Sequence, residues 1–84
     1  MEEIMSQPGV VGALLVDNAG LPISAKGTTK QDGAGIVTLL SKKSKQLGHV
    51  IGQGEDPTIV IECDTGTLLI RPQKLATLVI QKST

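Results

Sequence analysis

Asp64-Thr65-Gly66 is the segment with the most chemical potential, because an aspartate followed by Thr-Gly is the arrangement that carries the catalytic carboxylate of aspartic proteases. A symmetric dimer could bring two such carboxylates together to share one proton. The same residues also make an ordinary hairpin turn, and too little chain follows them to build the rest of such an enzyme, so a turn is expected. Cys63 could act as a nucleophile if a histidine activated it. The only histidine, His49, is far off in sequence in what reads as a loop, and no acidic residue is placed to orient it. Cys63 alternates with Ile59 and Ile61, which predicts a packed strand thiol. Gly33-Ala34-Gly35 and Gly52-Gln53-Gly54 are the glycine-rich candidates for a phosphate cradle. Neither follows a strand and opens a helix with a nucleotide fingerprint, so they read as a helix start and a loop. These residues support no catalytic, cofactor-binding or metal assignment, and no cofactor is expected.

Composition narrows the remaining classes. Eight basic residues balance eight acidic ones, and Phe, Tyr and Trp are absent. Nucleic-acid binding, which usually needs a basic surface and often aromatic stacking, is not expected. Cys63 is the single cysteine, so no internal disulfide can form, and with His49 it is too little for a structural metal site. That usage fits a reducing, cytoplasmic compartment. No basic leader, no span long enough for a bilayer and no glycine at position 2 for a myristoyl group is recognisable, so a membrane address is expected to come from a partner. Lys42, Lys43 and Lys45 form a basic cluster near one end of a helical pattern. Lys42 and Lys45 read as a solvated face favoured by the helix dipole, whereas Lys43 borders Leu39 on an apolar flank.

The elements that would position these residues follow from periodicity. Residues 2–7 suggest one helical turn stopped before Pro8. Residues 10–16 and 21–26 read as strands of a hairpin joined by Asp17-Asn18-Ala19-Gly20, with Pro22 favouring an edge position for the second. A helix is predicted over 31–48, capped by Thr28 or Thr29, with Asp32 in its first turn and Gly48 closing it. Its expected sheet-facing stripe is Ile36, Leu47, Leu40, Gly33, Ser44 and Val37. Residues 49–56 read as a flexible crossing, and 58–63, 67–71 and 75–82 as three more strands. The fold class is α+β: a five-stranded antiparallel sheet in the order α-β-β-α-β-β-β, forming one domain over residues 1–84.

This arrangement leaves apolar surface over. Residues 10–16 are apolar at every position, as are 68–70, and 75–80 nearly so, which suggests strands covered on both faces. One long helix covers one face, and 84 residues bury only roughly 60 % of the unfolded chain's surface. A protein partner is the first functional expectation.

The order and spacing of Met5-Ser6-Gln7-Pro8, Val11-Gly12-Ala13-Leu14, Asp17-Asn18-Ala19-Gly20-Leu21, Lys26-Gly27-Thr28, Ala34-Gly35-Ile36-Val37 and Glu62-Cys63-Asp64-Thr65-Gly66 resemble the roadblock family of small dimerising domains, and within it the Ragulator type of subunit. The resemblance spans nearly the whole chain. It implies a non-enzymatic scaffold that pairs side by side with a second roadblock subunit, through the long helix and the edge strand after it. The implied contacts are Ile36, Leu39, Leu40 and Lys43 on the helix and Thr58, Ile59, Val60, Ile61 and Glu62 on the strand. It further implies a lipid-anchored wrapping subunit, indirect recruitment of Rag GTPases, and signalling to the target of rapamycin kinase at the cytosolic face of lysosomes or late endosomes. The alternative is a homodimeric roadblock protein of dynein light-chain or GTPase-regulator type.

Overall fold

The computed structural model describes residues 2–52 and 57–83. The elements are α1 (Glu2–Met5), β1 (Val10–Asp17), β2 (Pro22–Gly27), a 3₁₀ turn (Gln31–Gly33), α2 (Ala34–Ile51), β3 (Ile59–Cys63), β4 (Gly66–Pro72) and β5 (Ala76–Ser83). All neighbouring strands are antiparallel, and the spatial order is β2-β1-β5-β4-β3. The predicted fold class and element order are therefore those of the structure.

Local chemistry explains the two hairpins. Asp17 ends β1, and its carboxylate accepts hydrogen bonds from the backbone N–H groups of Ala19 and Leu21, both at 2.9 Å. In the second hairpin Cys63 lies opposite Gly66, which leaves Asp64 and Thr65 as a two-residue loop. A Cβ on Gly66 would strike the Lys82 carbonyl oxygen, so the glycine of the Asp-Thr-Gly triplet serves the close approach of β5.

Besides beginning at Ala34, which leaves Asp32 in the preceding 3₁₀ turn and not in its first turn, α2 differs from its expected form in three ways. It runs through Gly48, which is buried within it, and ends at Gly52, whose φ of 73° supplies the left-handed C-cap. His49 accordingly sits on the last turn of the helix and not in a loop. The expected threonine caps bond elsewhere: the Thr28 hydroxyl donates to the Val11 carbonyl, and the Thr29 hydroxyl to Gln81.

The third difference concerns the buried face. Ala34, Val37, Thr38, Ser41 and Gly48 are the buried residues of α2, whereas Ile36 and Leu47 of the expected stripe are exposed. Small residues let the helix lie close on the sheet, and the two hydroxyls are satisfied there. Thr38 donates to the Ala34 carbonyl at 3.1 Å, and Ser41 and Thr77 share a 3.0 Å hydrogen bond between helix and sheet. Among the described residues no buried side-chain nitrogen or oxygen lacks a partner.

Strand alternation then sorts the sheet into two faces. Leu14, Val16, Ile70 and Val79 join Ala34 and Val37 of α2 in one buried cluster, with Leu40, Ile59 and Leu68 packed at its margin. The adjacent row, Ala13, Ile80, Leu69 and Val60, is linked pair by pair across β1, β5, β4 and β3 and points to the opposite face. There Ala13 and Ile80 are buried, while Leu15, Leu69 and Leu78 are half-buried.

Ile70→Ala should lower stability by about 2–5 kcal/mol, the usual cost of emptying a fully buried aliphatic site. Leu75→Ala, at a position 83 % exposed, should change it by less than about 0.5 kcal/mol. Urea denaturation followed by far-ultraviolet circular dichroism measures both, since the chain lacks Trp and Tyr. Equal effects would contradict this core.

Candidate protein interface

The sheet has two edges, and they are built differently. At β2 the strand begins with Pro22, its register against β1 shifts between Leu15 and Val16 so that Ile23 has no cross-strand partner, and Lys26 stands near its end. A proline, a bulge and a lysine are devices that discourage further strand pairing. β3 has none of them: it is Ile-Val-Ile-Glu-Cys, in regular register with β4 from Ile59 to Cys63. Its outer side presents unpaired backbone groups flanked by Val60 and Ile61, 54 % and 37 % exposed. This is the edge where another strand can add with least opposition.

α2 carries a second exposed apolar surface. Ile36, Leu39, Leu47, Val50 and Ile51 are all more than half exposed. At about 100° per residue, Ile36, Leu39, Lys43, Leu47 and Val50 form one stripe along the helix, well turned from the buried face. Its flank is fixed by contacts on the other side. The β1–β2 turn at Gly20 abuts Gly35 and Thr38, so the side of α2 bearing Leu40 and Leu47 looks toward β4 and β3. Leu40 and Leu47 therefore lie on the flank of α2 nearer β3, whereas Leu39 and Val50 point away from the sheet.

The residues expected to make contacts are placed in different ways. Ile36, Leu39 and Lys43 are exposed on α2, and Leu40 is half-buried against the core. Thr58 precedes β3 and is exposed; Ile59 is half-buried on the α2 side; Val60 and Glu62 point to the face away from α2. The sequence reading missed Leu47 as an outward residue, and Val50 and Ile51 altogether. Their signal was present in the spacing that continues the stripe past Lys43, and it was hidden by ending the helix at Gly48.

The candidate chemistry is dispersed. Asp64 is exposed in its turn, and Cys63 is exposed on β3, contrary to the packed thiol expected there, because the strand's last residue extends beyond the helix's cover. No hydrogen bond joins Cys63 to His49. Gly33 and Gly35 flank the start of α2, as expected, while Gly52-Gln53-Gly54 and the rest of the crossing lie mostly outside the described residues. Among the described residues no group of three or more His, Cys, Asp or Glu is placed to hold a metal ion, and no helix is long and apolar enough to cross a membrane.

Comparison with known proteins agrees with this architecture. Residues 1–82 match the family described as Ragulator complex protein LAMTOR5. A LAMTOR5 homolog of Nematostella vectensis is 34 % identical, covering 98 % of this chain and 88 % of that protein. A homolog from Dictyostelium discoideum is 38 % identical over 95 % of this chain and 86 % of its own length. Among solved structures, the Roadblock/LC7 domain from Streptomyces avermitilis superposes with a TM-score of 0.84 at 20 % identity, covering 99 % of this chain and 74 % of that one. Myxococcus xanthus MglB gives 0.85 at 21 %, covering 98 % and 71 %. The shared fold, together with a family match over nearly all its length, establishes that this chain belongs to the Ragulator complex protein LAMTOR5 family and has the roadblock fold.

Proposed function

We propose that this chain is a non-enzymatic scaffold subunit of a Ragulator-type complex, and that it works by pairing side by side with a second roadblock subunit through α2 and β3. The observation that carries the reading is the unprotected β3 edge, together with an exposed apolar stripe on α2. Fully burying a large aliphatic side chain is worth about 1.5–3 kcal/mol, so closing over Ile36, Leu39, Leu47, Val50 and Val60 offers enough gross stabilisation to offset the loss of freedom on association. Strand pairing adds little net energy per hydrogen bond but fixes register and orientation. The contacts are Ile36, Leu39, Leu40 and Lys43 on the helix and Thr58, Ile59, Val60, Ile61 and Glu62 at the strand.

Family membership supports the wider setting. In it, a lipid-anchored subunit wraps the pair and brings it to the cytosolic face of lysosomes or late endosomes, where the assembly recruits Rag GTPases and supports nutrient signalling to the target of rapamycin kinase. Half-buried Leu15, Leu69 and Leu78, all on the face away from α2, give the wrapping subunit an apolar surface to lie on. The competing reading is a homodimer. It is favoured by the same edge and is separated from the first by partner choice.

Leu39→Glu and Val60→Glu should each weaken pairing with a co-expressed roadblock partner by about 3–5 kcal/mol where the introduced charge is buried without a partner. Both positions are exposed in the single chain, so folding should change by less than about 1 kcal/mol. Unchanged pairing in a pull-down with both variants contradicts the interface. In native mass spectrometry, the chain alone should give weak or mixed self-association that converts to a one-to-one pair when the partner is added. A tight homodimer that ignores the partner selects the competing reading. Asp64→Asn and Cys63→Ala should leave assembly unchanged, and hydrolytic turnover dependent on either residue would overturn the non-enzymatic assignment.

A further inference from the structure

On the sheet face turned away from α2, a single cation stands among leucines. Leu15 of β1 pairs with Leu78 of β5, and Leu78 with Arg71 of β4, so these three side chains project together from neighbouring strands. Leu69 lies two residues before Arg71 on the same face, level with Val60 of β3. Leu15, Leu69 and Leu78 are half-buried, whereas Arg71 and Val60 are exposed. The guanidinium thus emerges at the margin of the apolar surface.

Among the described residues none gives Arg71 a hydrogen bond or an ion pair. Glu62 shares its face but is level with Thr67, about 13 Å along β4 and beyond a screening length of about 8 Å. The Asp17 carboxylate, two strands away, is occupied by the N–H groups of Ala19 and Leu21. Asp64 lies farther still, in the turn beyond Cys63. Asp32 belongs to the 3₁₀ turn that leads into α2, and Glu2 and Glu3 belong to α1, which packs on β1. Glu55 and Asp56 precede β3 in the crossing, outside the described residues.

A segment that covers Leu15, Leu69 and Leu78 takes water from Arg71 as well. A guanidinium stripped of water is strongly unfavourable unless an acceptor replaces it, and its planar fork matches a carboxylate with two parallel N–H donors. Half-buried leucines lie too flush with a sheet to insert into a lipid interface, which favours a protein segment laid over the face. We infer that Arg71 is the charged anchor of this face: it holds an Asp or Glu carboxylate on an apolar segment of the wrapping subunit, laid over Leu15, Leu69 and Leu78. The inference rests on the covering of this face proposed above and names the chemistry that fixes its register.

The test uses the chain co-expressed with a second roadblock subunit and with the wrapping subunit freed of its lipid. Arg71→Glu should weaken binding of the wrapping subunit by at least about tenfold, while native mass spectrometry still shows the roadblock pair. Changing one Asp or Glu of the wrapping subunit to Arg should restore its binding to Arg71→Glu and weaken its binding to the wild type. Undiminished binding by Arg71→Glu, or the lack of any exchange that restores it, overturns the role of Arg71. Glu55→Gln and Asp56→Asn together should leave binding unchanged; a loss equal to that of Arg71→Glu would assign the arginine to a pair within this chain and overturn the inference. Binding of the isolated chain to vesicles of equimolar phosphatidylcholine and phosphatidylserine, lost in Arg71→Glu, would assign it to a membrane instead. Leu78→Ser, with its fold checked by far-ultraviolet circular dichroism, tests the face itself. If it abolishes binding where Arg71→Glu does not, the wrapping subunit lies here without an arginine anchor; if neither variant has an effect, the covering of this face is refuted.

Discussion

The hydrogen bond between Ser41 and Thr77 lies where α2 rests on the sheet, and much of the molecule follows from the kind of contact it represents. A helix can be held to a sheet by large side chains at a distance or by small ones close in. Here Ala34, Val37, Thr38, Ser41 and Gly48 are the buried residues of α2, which rests on β1, β5 and β4. Its large apolar residues are then turned outward. Leu39, Leu47 and Val50 are surplus to the fold of the single chain because smaller residues occupy the places that would have buried them.

That constraint has a counterpart in the sheet. An edge strand with Pro22, a register shift and Lys26 resists addition, and one made of Ile59, Val60 and Ile61 invites it. The outward helix stripe and the β3 edge are both left uncovered in the single chain. The opposite side, at β2, is closed. A domain with one open and one closed edge extends to a pair and not to a fibre, which suits a scaffold subunit of defined stoichiometry.

Much of this was legible in the sequence. Turn residues at 17–20 and 64–66 divide the strands cleanly, Pro22 marks its strand as an edge, and a chain with five strands and one long helix has few ways to arrange them. The helix was read less well for a physical reason. Hydrophobic periodicity identifies the face that is apolar, which is the buried face only when one surface of the helix is covered. α2 carries a second apolar surface, exposed in the single chain, and its sheet-facing one contains Thr38 and Ser41, polar residues whose partners, the Ala34 carbonyl and Thr77, make burial tolerable. Likewise Gly48 resembled a helix end, whereas it is buried within the helix and Gly52 terminates it. Nothing in residue types alone distinguishes those uses of glycine.

Hydrogen exchange along the backbone tests the central claim most directly, because an open edge and a closed one differ in which amides are protected. In the isolated chain, the outward-facing amides between Ile59 and Cys63 should exchange far faster than those of β1 and β5, and adding a roadblock partner should protect them while leaving β2 unchanged. Protection appearing at β2, or β3 amides that exchange equally fast with and without the partner, would contradict the account.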